Sequence, residues 1–224
     1  MSRSVDLLKK RYLENIKEKP DLFVGVELEY PVVNLEGKAT DIEVVKELFR
    51  YLSSVLKFTV EKVDDFGNPI QLLDPVSQDT ILFEVAYTTV EFAFGRAKSI
   101  QEVEERFRDY MDLIQKKLGE TNHAIVGSGI HPYWEKNENQ PVAYPRYQML
   151  MNYLKLSRTL PGMDLHDYPR YGAFICGSQV QLDVSKSNYL RVINVFTQIE
   201  AAKAYLFANS VFSGADWDTK VSRD

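Results

Sequence analysis

The chain has 224 residues, 45% of them hydrophobic, which suits one sizeable core and predicts a single domain over residues 1–224. A formal net charge of -5, a pI near 5.4 and the lack of any basic block give no electrostatic footprint for nucleic acid. One cysteine, Cys176, cannot make an internal disulfide, no signal-like apolar run precedes the first helix, and no stretch approaches the roughly 20 apolar residues of a membrane span, so the expectation is a cytoplasmic protein.

Leu7, Leu8, Tyr12, Leu13 and Ile16 fall at helical spacing and predict a helix from Val5 to about Glu18, stopped at Lys19-Pro20. Phe23 to Tyr30 reads as a strand in which Glu27 and Glu29 share one face while Val26, Leu28 and Tyr30 pack on the other. A turn over Asn34 to Lys38 follows, and Thr40-Asp41-Ile42-Glu43 has the form of a capping box opening an apolar-faced helix. Phe58 to Val63 and Ile70 to Leu73 flank Asp65-Phe66-Gly67-Asn68-Pro69 and predict a hairpin.

Ile81 to Phe94 again embeds acids, Glu84 and Glu91, in strand-like apolar residues. With Tyr87-Thr88 as a two-residue loop, Glu84 faces Glu91 directly across a hairpin. Ser99-Ile100-Gln101-Glu102 is a second capping box before a helix carrying Val103, Phe107, Tyr110, Ile114 and Leu118. Gly127 to Pro132 is a loop by composition, and Arg146 to Leu156 reads as helix. Phe174 to Val184 returns to strand character, with Gln179, Gln181 and Asp183 on one face, and one long helix is predicted from about Tyr189 to Asn209. Strands joined by short turns and interrupted by helices predict an α+β fold with a mainly antiparallel sheet.

Like charges placed opposite one another in a sheet are destabilising, and withdrawing each from water costs several kcal/mol more, by order of magnitude. A divalent cation offsets both costs, and magnesium favours such oxygen ligands. The plain alternative is a solvated face of an amphipathic sheet. Few basic residues lie near these acids in sequence, which favours the metal. His131, alone among glycines and before a proline, reads on its own as a structural loop residue, and Cys176 as a small core residue.

In order along the chain, Gly25-Val26-Glu27-Leu28-Glu29, Phe83-Glu84 with Val90-Glu91-Phe92, Gly129-Ile130-His131-Pro132, Pro145-Arg146-Tyr147 and Gln179-Val180-Gln181-Leu182-Asp183 resemble glutamate–cysteine ligases. The similarity is to the bacterial and plant-like branch, including the ligase half of bifunctional glutathione-synthesising enzymes. It implies a curved, funnel-like antiparallel sheet holding ATP, magnesium, glutamate and cysteine, with amide formation through γ-glutamyl phosphate. It also implies that Glu27, Glu29, Glu84 and Glu91 are magnesium ligands, that Gln181 and less directly Gln179 border the metal and amino-acid sites, and that Arg146 and His131 lie near substrate.

The family's catalytic region extends beyond the point matched by Trp217 to Asp224, so the resemblance implies a missing C-terminal segment or a site completed by another chain, such as a homo-oligomer partner. Two further readings stand beside the ligase: the same activation chemistry with another amine acceptor, and a non-catalytic homologue that binds nucleotide or amino acid.

Overall fold

A computed structural model describes residues 3–156 and 171–210. The elements run α1 (Arg3–Leu13), β1 (Val24–Asn34), α2 (Ile42–Val55), β2 (Thr59–Val63), β3 (Pro69–Leu73), β4 (Thr80–Phe83), β5 (Thr89–Ala97), α3 (Ile100–Gly119), β6 (His123–Ile125), α4 (Pro145–Leu156), β7 (Ser178–Leu182), α5 (Tyr189–Gln198) and α6 (Glu200–Phe207). The predicted C-terminal run from Trp217 lies outside the described residues.

The seven strands form one sheet in the order β2-β3-β4-β5-β1-β6, with β7 also on β1, and every pairing is antiparallel. The fold is therefore α+β with a mainly antiparallel open sheet, as the sequence predicts. β1 is the pivot. One edge pairs with β5, and the other is shared between β7, opposite Val24 to Leu28, and β6, opposite Val32 to Asn34. Pro31 lies between the two partners, where its missing N–H costs the ladder nothing.

Helices α2 and α3 cover one face. Val45, Leu48, Phe49 and Leu52 of α2 and Val103, Tyr110, Ile114 and Leu118 of α3 are buried against Val26, Leu72, Ile81, Phe83, Val90 and Phe92 of the sheet. The Phe49 and Phe83 rings stack with centroids 3.8 Å apart. Alternation then dictates that Glu27, Glu29, Leu82, Glu91 and Ala93 project from the opposite face.

Four local expectations differ. Helix α2 is capped by Asp41, which accepts from the Glu43 N–H, because the Thr40 hydroxyl is spent on the Val32 carbonyl at 2.6 Å. Helix α1 stops at Leu13 and buries no residue, so no packed face sustains it further. The predicted strand from Phe174 begins only at Ser178, after a 3-10 turn over Gly172–Phe174. The single long C-terminal helix is two, broken at Ile199, where the Thr197 hydroxyl donates to the Ile193 carbonyl, a back-bond that bends helices.

Candidate active site

Glu29 lies directly across from Glu91 in the β1–β5 ladder, and Glu27 lies across from Ala93 with Gln179 on its other side. Glu84 follows β4 immediately, and its N–H donates to the Thr89 carbonyl at 3.1 Å. The hairpin loop is thus four residues, Val85 to Thr88, and Leu82 rather than Glu84 pairs with Glu91. This corrects the predicted register by two positions. An even slip preserves the face, so Glu84 still stands on the acid side, diagonal to Glu91 and hydrogen-bonded to it.

Four carboxylates therefore share one patch of sheet, and none of the ion pairs among the described residues involves them. Burial pushes the Glu91 carboxyl up to about 8, helped by the charges of Glu84, Glu29 and Glu27. The Glu91 carboxyl therefore keeps its proton well above the usual carboxylate range. Burial also raises Glu29, against the opposing effect of the Gly177 N–H that donates to its Oε2 at 2.7 Å. The Glu29 N–H in turn donates to the Gly177 carbonyl at 3.0 Å, so this one residue fixes both backbone and carboxylate.

The donor chemistry fits a hard cation, since it is all carboxylate oxygen with no paired lysine or arginine among the described residues. Among those residues, no three histidine, cysteine, aspartate or glutamate side chains already converge as a ready-made metal cage. Glu27, Glu29, Glu84 and Glu91 are the residues that would hold such a cation, whose charge would offset their mutual repulsion.

Gln181 pairs with Gly25 across the β1–β7 ladder and Gln179 pairs with Glu27, so both belong to the acid face, each exposed. Gln181 folds over Gly25 closely enough that a Cβ there would meet its Oε1 at 2.9 Å. Arg146 is exposed in the first turn of α4, with its guanidinium 5.9 Å over the Tyr147 ring. It stands near the Glu84 end of the site, because Tyr147 touches Glu84.

His131 lies inside the packed 129–131 segment. Its ring is fully buried, with Nδ1 accepting from the Tyr133 N–H and Nε2 donating to the Val32 carbonyl at 2.9 Å. Burial lowers its pKa and keeps it neutral, and neither ring nitrogen is left for a substrate. It pins the 129–131 segment, which pairs with 174–176 and so supports Gly177 beside Glu29. Cys176 is buried, and desolvation pushes its thiol up to about 12, so it is no nucleophile.

Two contributors escaped sequence reasoning. Tyr147 is buried with its hydroxyl donating to the Phe83 carbonyl at 2.7 Å, and Val85 adopts φ 58° beside Glu84. A tyrosine in a helix carries a general signal, since a buried phenol needs a partner. No sequence signal marks a valine in the left-handed region.

An open antiparallel sheet, with helices on one face and a cluster of four carboxylates on the other, defines an α+β protein. The chain matches the family model described as glutamate-cysteine ligase family 2 (GCS2) over residues 23–219, and it belongs to that family. No curated protein matches the chain closely enough to serve as a named relative.

Proposed function

We propose that the chain carries the acid half of an ATP- and magnesium-dependent carboxylate–amine ligase site, joining the γ-carboxylate of glutamate to the amine of cysteine. The observation that carries this reading is the patch of Glu27, Glu29, Glu84 and Glu91 on one sheet face, unpaired among the described residues, in a chain of this family. Magnesium, when bound, supplies positive charge that neutralises phosphate oxygens during phosphoryl transfer. The four glutamates would hold it.

In the proposed sequence a γ-carboxylate oxygen of glutamate attacks the γ-phosphorus of ATP and ADP leaves. The amine of cysteine then attacks the acyl carbon of γ-glutamyl phosphate, phosphate leaves, and the amine sheds a proton. The chain's own residues bind and orient: Arg146 offers a guanidinium fork for a carboxylate, and Gln179 and Gln181 offer amide donors and acceptors beside Glu27. The sheet behind them is locked by the α2 and α3 core, so the donors are presented on a rigid element.

The test is ADP release with ATP, magnesium, glutamate and cysteine, omitting each amino acid in turn. Release that requires both amino acids, with a new γ-glutamyl amide, is the expected outcome. Magnesium-dependent nucleotide binding without turnover would instead make the chain a binding half-site.

A further inference from the structure

We propose that Tyr147 and the turn centred on Val85 together form a positioning device that fixes the Glu84 carboxylate on the acid face; this rests on the ligase reading above. Glu84 is the only one of the four acids outside a strand, one residue past the end of β4. A strand would fix its side-chain direction through the pleat. A loop residue needs other restraints, and two are built around it.

The first is Tyr147. Its ring is buried in the core, and its hydroxyl donates to the carbonyl of Phe83, the residue just before Glu84, at 2.7 Å while standing 3.4 Å from Glu84 Oε2. The one phenolic group therefore holds the backbone on one side of Glu84 and meets its carboxylate on the other. The second restraint is the turn. The Ala86 N–H donates to the Glu84 carbonyl at 2.7 Å, closing a three-residue turn whose central residue, Val85, has φ 58°. Such γ-turns are rare and strained, and a β-branched residue is the worst suited to that region.

The strain is held by surrounding bonds. The Val142 N–H donates to the Val85 carbonyl at 2.7 Å, the Thr89 N–H donates to the Ala86 carbonyl at 3.2 Å, and Val85 itself is buried. Strain retained beside a working group is what pre-organisation looks like in a backbone. It turns the chain sharply after Glu84, so the carboxylate stays on the sheet face with Glu91 instead of following the loop.

The experiment compares the wild type with Tyr147→Phe, Val85→Gly and the control Tyr110→Phe, using manganese binding followed by electron paramagnetic resonance and magnesium-dependent ADP release. Tyr110 is an equally buried tyrosine whose hydroxyl serves Asp79, away from the acids. Tyr147→Phe is expected to keep its fold, to weaken manganese binding about tenfold, and to raise the magnesium needed for half-maximal ADP release by the same factor. Tyr110→Phe is expected to lower the thermal midpoint with unchanged manganese affinity. Val85→Gly, which releases the strained turn but also removes a buried side chain, is expected to weaken manganese binding with a thermal midpoint close to that of the wild type.

Wild-type manganese affinity in Tyr147→Phe and Val85→Gly overturns the device and leaves the ligase reading intact. A wild type that binds manganese more tightly than Tyr147→Phe but never releases ADP sustains the device and removes the ligase reading. A wild type that binds no divalent cation overturns both.

Discussion

Asp79 and Glu91 are carboxylates buried to nearly the same depth, at 1% and 8% exposure, yet their surroundings are opposite. Asp79 accepts from the Gly95 N–H at 2.7 Å, from Arg106 Nη1 at 2.5 Å and from the Tyr110 hydroxyl at 2.8 Å. It ties the β3–β4 connection to β5 and α3. Glu91 faces Glu29 directly and Glu84 diagonally, and its desolvation is relieved only by keeping a proton. A buried acid with every oxygen partnered is a structural bolt. One surrounded by its own kind is where the proposed cation would be held.

The largest effect should come from the bolt. Arg106→Met leaves Asp79 buried without its charge partner, so unfolding free energy should fall by about 3–5 kcal/mol, the range for broken buried pairs. Glu91→Gln, at similar depth, should leave the metal-free protein at pH 7.5 unchanged or more stable. Urea midpoints for the two variants read this directly, and a similar loss from both would break the contrast. Next in size, Glu27→Gln should cut ligase turnover on the order of 100-fold or more while the circular dichroism spectrum stays unaltered. Full activity in that variant would defeat the metal assignment.

A smaller effect, with a distinctive sign, follows from the Glu91 proton. Its folded pKa, about 8, lies above the ordinary value of 4.5, so the folded state binds more protons than the unfolded one between these limits. The associated stability is fully present below pH 4.5 and is lost as pH rises through 8. A salt-bridged carboxylate behaves oppositely. Urea unfolding in chelator at pH 5.5, 6.5, 7.5 and 8.5 should therefore show the wild type losing ground to Glu91→Gln as pH rises, by a few kcal/mol in order of magnitude. A difference that is flat or grows the other way would mean that Glu91 is already ionised and paired.

Much of this contrast was legible in the sequence, because strand alternation is a strict period. Placing Glu27 and Glu29 on one face required only their spacing, and the antiparallel α+β sheet followed from short turns between apolar runs. The Glu84–Glu91 relation survived an incorrect loop length because the slip was even; an odd slip would have separated them. His131 shows the limit. A histidine between glycines and a proline has no periodicity to orient it, and only the packed structure reveals that Val32 and Tyr133 take both ring nitrogens. The bolt at Asp79 was also hidden, because its partners Arg106 and Tyr110 are 27 and 31 positions away. The apolar pattern of Tyr189 to Asn209 predicted one long helix, whereas the segment forms two, α5 and α6, which bury no residue. Periodicity gives a face its polarity and says nothing about what covers it.

The smallest effect concerns Gly25, where stability and function should move in opposite directions. Its φ is not in the left-handed region, so alanine suits the backbone and should add about 0.4–1 kcal/mol by restricting the unfolded chain. The new Cβ would meet Gln181 Oε1 at 2.9 Å, and the amide, being the far end of a flexible side chain, can swing away with little cost. If Gln181 borders the amino-acid site, that swing removes a polar contact beside Glu27 and should raise the KM for one amino-acid substrate roughly fivefold, about 1 kcal/mol. Steady-state kinetics of Gly25→Ala, alongside Gln181→Ala, separate the cases. Matching KM changes in both variants place the Gln181 amide in the site, whereas a stabilised Gly25→Ala with ordinary kinetics leaves it a solvated residue on a strand face.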